Sequence, residues 1–198
     1  MILGLNSNAQ DSNNPWAISF GANAIDTKTG ADGGHEWLDR HFSQPFAVKD
    51  NWNILPSLSY IGVSRYVGSG FSVGLQGSVN KIEKLVTFDP TAPDHDGRGM
   101  VVTNPGDLMY YGIDGVINYS IANLYGFLEP TAHVGGGYTF YGDNSAGTVN
   151  GGLGLNFWFN DFVGLSLRST YKYSFDDVRP DMPTHMQHFA GLTFKFGG

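Results

Sequence analysis

The chain has 198 residues, a net charge of −7 and no cysteine; 28 residues are glycine, 14 % are aromatic and only 15 % are charged. Glycine at about twice its ordinary share of about 7 %, with so little charge, argues against a helical bundle, and the aromatics argue against disorder. The missing cysteines exclude a disulfide scaffold, a thiol nucleophile and thiolate metal sites, and 18 acidic against 11 basic residues argue against nucleic-acid binding. The length suits one domain. A mean hydropathy of −0.18 ordinarily marks a soluble chain, except in a transmembrane β-barrel, whose strands hide their apolar half by alternating it.

In chain order, Ile2, Leu3 and Leu5 resemble the end of an apolar leader, with small residues Ser7 and Ala9 before Gln10. Residues 1–15 are read as a leader remnant and a short N-terminal segment, although an ordinary N-terminus also fits, since a basic start is lacking. No run of 18 apolar residues exists, so no transmembrane helix is expected. From Trp16 the dominant period is two. The first strand, Trp16 to Asp26, sets Trp16, Ile18, Phe20, Ala22 and Ala24 against Ala17, Ser19, Gly21 and Asn23. The second, Ile54 to Tyr66, is expected to set Pro56, Leu58 and Tyr60 against Ser57, Ser59 and Arg65, with Ile61 and Val63 misplaced. The third alternates Phe71, Val73, Leu75 and Val79 with Ser72, Gly74, Gln76, Ser78 and Asn80.

Five more segments follow the same rule: Leu108 to Ile121, Tyr125 to Phe140, Thr148 to Phe159, Phe162 to Tyr173 and Gln187 to Phe196. Gly68-Ser69-Gly70, Ala122-Asn123 and Asn160-Asp161 read as tight turns at one end. Longer polar stretches are expected at the other end, at Thr27–Asn53, Glu83–Asp107, Gly142–Gly147 and Ser174–Met186. Short turns on one side and long loops on the other are the pattern of an outer-membrane barrel, with the short side and both termini periplasmic. The polar face is mostly Gly, Ser, Asn and Thr, which suits a narrow lumen and makes a poor solvent coat. Aromatic belts are expected from Trp16, Tyr66, Phe71, Tyr119, Tyr125, Phe159, Phe162 and Phe196 near the short turns. The opposite belt is expected from Tyr110, Tyr111, Phe140, Tyr141, Tyr173 and Phe175. The expected fold is therefore all-β, an eight-stranded antiparallel up-and-down transmembrane β-barrel over residues 16–196.

The last strand, His188 to Phe196, resembles the terminal strand by which the barrel-assembly machinery identifies outer-membrane barrels: Gly191, Phe194 and Phe196 match, while Phe189 stands where a polar residue is common. Over about Trp16 to Phe196 the chain resembles the N-terminal barrel of the outer-membrane protein A family, Bacteroidetes type. That resemblance implies an integral outer-membrane barrel among lipids and lipopolysaccharide. It also implies that residues 197–198 open a linker to a peptidoglycan-binding periplasmic domain, which no segment here matches. Anchoring such a domain, or serving as an accessory subunit of an outer-membrane complex, is the role implied, with no cofactor.

Arg65, Asp114, Glu129, Arg168 and Lys172 are expected to point into the lumen. Unpaired charges there are costly, so they are expected to form an ion network, with Glu129 paired to Arg168 or Lys172. The network reads as a plug, or alternatively as the gate of a small ion channel. Glu129 and His133 share a face and, with Ser57 or Ser166, sketch a hydrolase, but an outer-membrane lipid enzyme needs its site on the outer wall, so no catalytic residue is assigned. Asp94-His95-Asp96-Gly97 resembles part of a calcium loop without the closing Glu. Asp176, Asp177 and Asp181 read as solvated loop acids, and His35, His41, His95 and His185 lack metal-ligand spacing. The first long loop carries Trp37, Phe42, Phe46 and Trp52, read either as a loop folded over the barrel mouth or as a docking surface for a partner protein.

Overall fold

A computed structural model describes residues 10–28, 47–106, 108–175 and 184–197. Eleven strands are described: β1 (Trp16–Asp26), β2 (Trp52–Ile54), β3 (Tyr60–Gly68), β4 (Phe71–Ile82), β5 (Leu85–Phe88), β6 (Met100–Thr103), β7 (Leu108–Ser120), β8 (Leu128–Tyr141), β9 (Asn144–Trp158), β10 (Val163–Ser174) and β11 (His185–Phe196). One helical turn, α1 (Val48–Asn51), precedes β2.

Eight of these strands, β1, β3, β4 and β7 to β11, pair antiparallel with their chain neighbours, and β11 returns to pair with β1. The sheet therefore closes on itself, with β2, paired only with β1, standing beside the upper part of β4. These eight run from 9 to 15 residues, enough for a tilted strand to cross a bilayer, which takes about 9–11. Closure is in register from Trp16 opposite Phe196 to Asp26 opposite Met186, so both chain ends of the barrel lie at the short-turn end.

The wall is apolar outside and polar inside. Ile61, Leu75, Ile113, Val134 and Leu153 all stand out from the surface, each more than half exposed. Gln76, Asp114, Glu129, His133, Asn150, Thr170 and Lys172 are buried within. A water-soluble barrel has the reverse arrangement, so the outward band is a lipid-facing one.

The expected strands match the observed ones closely, with five corrections. The second is interrupted: β2 pairs with the upper part of β1 and β3 with its lower part. Between them residues 55–59 bulge outward around Pro56, which has no N–H to give a ladder. The bulge reverses the alternation, so that Tyr60 is buried while Ile61 and Val63 face lipid. Three asparagines satisfy the backbone around this break. The Asn23 side chain donates to the Ser59 and Val79 carbonyls, at 2.6 and 2.9 Å. The Asn80 side chain donates to the Asn53 carbonyl at 3.0 Å. Asn53 donates to the Ile25 and Lys84 carbonyls and accepts from the Glu83 and Lys84 amides, all between 2.8 and 3.1 Å.

The next three corrections concern loops. The stretch after Ile82, expected as an irregular loop, carries the β5–β6 hairpin, whose Val86, Phe88 and Met100 form a small apolar cluster of their own. At the same end β8 and β9 are joined by a tight turn, with Tyr141 opposite Asn144, where a longer loop was expected. The β7–β8 connection is longer than the expected dipeptide and closes through a bridge between Leu124 and Leu128. Finally, Tyr110 and Tyr141 do not join the outer belt. Both are fully buried, packed with Ile25, Ile82 and Ala146 as an apolar layer across the top of the lumen.

Candidate functional site: the filled lumen

Beneath that layer the lumen is bridged by charge. Lys172 on β10 and Asp114 on β7 face each other across the lumen, 2.9 Å apart, with exposures of 0 % and 1 %. At such burial an unpaired charge is expensive, and the remaining lone pairs and protons must also be met. They are: Asn150 donates to Asp114 at 2.7 Å, and Gln76 donates to it at 3.4 Å. Lys172 also donates to the Tyr110 hydroxyl at 3.3 Å, and that hydroxyl lies 3.2 Å from His185 Nε2. Glycines make the room. A Cβ on Gly137 would lie 2.3 Å from Asp114 Oδ1, and one on Gly112 would lie 3.3 Å from Lys172 Nζ.

The next layer belongs to Arg168. Its guanidinium donates to the Tyr60 hydroxyl at 3.2 Å and to Gln76 Oε1 at 3.1 Å. Tyr60 itself donates to Gln76 at 2.6 Å and packs on Phe189, ring centroids 4.0 Å apart. Gln76 therefore joins the Arg168 layer to the Lys172–Asp114 pair, and one continuous network crosses the lumen from β3 to β10. Beside it His133 Nε2 meets Thr170 Oγ1 at 2.9 Å. The His133 ring occupies the space where Gly152 has no side chain: a Cβ there would come within 2.8 Å of it.

Glu129 holds the lower layer. It accepts from Trp158 Nε1 at 2.6 Å and from Asn156 at 3.2 Å, and Lys195 sits 4.0 Å over the Trp158 ring. Ser166, Thr193 and Ser19 continue in a chain of hydroxyls 2.6 and 2.8 Å apart. At the bottom the side chain of Gln10 donates to the Ser64 carbonyl at 3.2 Å and accepts from its hydroxyl at 3.1 Å. Cavities of about 60 and 20 Å³ lie between the lower layers. They have room for a few waters and not for a solute path.

Of the five charges expected in one lumen network, Asp114, Glu129, Arg168 and Lys172 lie inside. Arg65 does not. It pairs in register with Trp16 and lies over that ring on the outer wall, 5.4 Å from its centroid. The bulge at 55–59 turned it outward. The expected pairing of Glu129 with Arg168 or Lys172 is also corrected: Lys172 takes Asp114, Arg168 takes neutral oxygens, and Glu129 takes an indole N–H. Sequence reasoning missed Trp158, Tyr60, Gln76 and Lys195 in this role. The polar-face alternation pointed to Gln76, Trp158 and Lys195, though rings were read as lipid-facing, while Tyr60 had no signal because the break before it reversed the expected phase.

Glu129, His133 and Ser166 are all inside but bonded elsewhere, and Ser57 lies on the exposed bulge. In the β5–β6 loop, hydrogen bonds from Thr91 hold the Asp89 carboxyl below the ordinary carboxylate range. Among the described residues no cluster of His, Asp or Glu is placed to hold a metal. Gly191 faces inward, where a Cβ would meet the Phe20 carbonyl at 2.3 Å and the Phe189 ring at 2.7 Å, and Phe194 and Phe196 face outward, Phe194 stacked on Phe20. Trp52 lies not in a free loop but in β2, stacked on His188 of the outer wall at 4.1 Å. Trp37, Phe42 and Phe46, with Asp176, Asp177 and Asp181, lie outside the described residues.

No protein-family model and no curated protein matches this sequence. Solved structures do. The outer membrane protein OprG of Pseudomonas aeruginosa is 10 % identical, with 98 % of this chain and 100 % of that one aligned at a TM-score of 0.60. Neisserial surface protein A is 11 % identical over 91 % of this chain and 96 % of its own, at a TM-score of 0.54. This chain is a barrel of the outer-membrane type. Together with the inverted wall, the likeness fixes an eight-stranded up-and-down transmembrane barrel as its fold; at such identities it carries nothing about activity.

Proposed function

We propose that the protein resides in a bacterial outer membrane as a closed structural barrel of the outer-membrane protein A kind, Bacteroidetes type. Its short-turn end, with both strand termini, faces the periplasm. In this role the barrel anchors a peptidoglycan-binding domain continuing beyond Phe196, or serves as an accessory subunit of an envelope complex. The observation that carries the reading is the Lys172–Asp114 pair, fully buried and hydrogen-bonded across the lumen. A pore needs a wet path, whereas this lumen is spanned by side chains that hold one another. The shared end of β1 and β11 supports the anchor, since any chain following Phe196 leaves on the face opposite the long loops.

Five measurements on the natural-length protein test this reading. It should resist carbonate extraction and run faster unboiled than boiled. A C-terminal tag should be cut by protease only in opened cells. In planar bilayers it should give no steady conductance. A tag cut in intact cells overturns the orientation. A steady conductance replaces the structural barrel with a channel. Failure to sediment with peptidoglycan removes the anchor and leaves the accessory subunit.

A further inference from the structure

The lipid-facing wall is not uniform. Where β11 meets β1 it is hollowed into a groove of about 580 Å³, within the range of about 300–1,000 Å³ typical of small-molecule sites. Elsewhere the band carries Ile, Leu and Val; here the floor is Ala22 and Ala190, directly paired, with Ser169 beside them. Leu153, Leu155 and Leu167 form one side and Ile54 the other. The upper end is closed by the Trp52 ring lying on His188, nearly parallel at 14°. Further down the same strands Phe20 faces Leu192 and stacks on Phe194 at 5.5 Å. The strand interruption shapes the site, because it is β2, displaced from β3, that brings Trp52 and Ile54 over β1.

Two features select the occupant. The groove offers no free charge: the Arg168 guanidinium is turned inward onto Tyr60 and Gln76, so a phosphate has no partner here and an alkyl chain does. The polar side chains facing outward at its upper end, His188 and Ser169, are paired across β10 and β11. His188 stands eight residues along the strand from Phe196, roughly 20 Å up the barrel axis for a strand rising about 3.3 Å per residue at a tilt of about 40°. That is near the top of an apolar band about 25 Å tall, in the leaflet on the long-loop side.

We propose that this groove seats one acyl chain of a lipid A-type lipid of the outer leaflet, with the oxygen of its ester or amide linkage at His188 and Ser169. The inference rests on the outer-membrane residence proposed above. The site is continuous with the lipid-facing band.

The barrel is refolded into phosphatidylethanolamine–phosphatidylglycerol vesicles holding a minor share of lipid A, released into mild detergent, and its retained lipids are counted by native mass spectrometry. Wild type should keep one lipid A after phospholipid has been stripped. Ala190→Phe and, independently, Ala22→Phe fill the groove and should each lower retention about tenfold or more, as removal of a snug apolar contact does. Leu75→Phe, on the same band but across the barrel on β4, should leave it unchanged. Equal retention by wild type and both groove variants overturns the proposal. So does retention of phosphatidylethanolamine as strong as that of lipid A, which marks an ordinary lipid annulus. Heat-modifiability of the same samples reports folding. Cell fractionation reports residence, so failure of that reading is seen apart from failure of the groove.

Discussion

Removing Asp114 tests the account of the lumen most directly. In Asp114→Ala, Lys172 keeps its charge at zero exposure and loses the carboxylate it is paired with, and Asn150 and Gln76 lose an acceptor. Breaking a buried pair from one side costs about 3–5 kcal/mol, because the remaining charge is left uncompensated. At about 1.4 kcal/mol per tenfold, that is a fall of about two to four orders of magnitude in the folding constant. Replacing both partners, Asp114→Ala with Lys172→Met, removes the orphaned charge and should recover most of the loss, since apolar replacements of buried pairs are often neutral. The assay is urea unfolding of the barrel in lipid vesicles, read by the heat-modifiable gel band for both single variants and the double. A single-variant cost below about 1 kcal/mol would refute the reasoning, for it would mean the pair is wet. So would a double variant as unstable as Asp114→Ala, for then the cost would lie in packing and not in charge.

Other outcomes follow from close contacts and loop chemistry. Gly152→Ala would place its Cβ 2.0 Å from the Ser169 carbonyl; it should abolish the heat-modifiable band on refolding, whereas Gly77→Ala, with nothing nearer than 3.9 Å, should fold normally. Asn53→Ala removes the side chain that meets two carbonyls and two amides of the strand break, leaving the Lys84 carbonyl to the Thr27 hydroxyl; limited proteolysis should then cut within 55–59, where wild type resists. In the β5–β6 loop, Thr91→Ala should move the Asp89 titration upward, as read by NMR. Because Asp89 titrates below its unfolded value, the turn it holds is favoured above the ordinary Asp value of about 3.9 and loosens as pH falls through the lower folded value.

The alternation of apolar and polar residues is a local property, and it fixed what a local property can. Trp16 to Asp26 were legible as a strand to the residue, and β4 and β7 as half-buried ones, because every second side chain must face one side of a pleated sheet. The scarcity of charge on the polar face, set against large side chains on the other, was enough to say which side met lipid. Tertiary structure decided the rest. A single break at Pro56 shifts the phase of β3, so Arg65 moved from the lumen to the wall, and the misplaced Ile61 and Val63 were its trace in the sequence. Which acid meets which base across the lumen depends on strand tilt and stagger, which are set by closure of the whole sheet. That is why Lys172 meets Asp114, fifty-eight residues away in sequence, and Glu129 meets an indole. Tyr110 and Tyr141 look like belt residues by type and position, yet they cap the lumen, because closing a barrel turns the top of its polar face toward other rings.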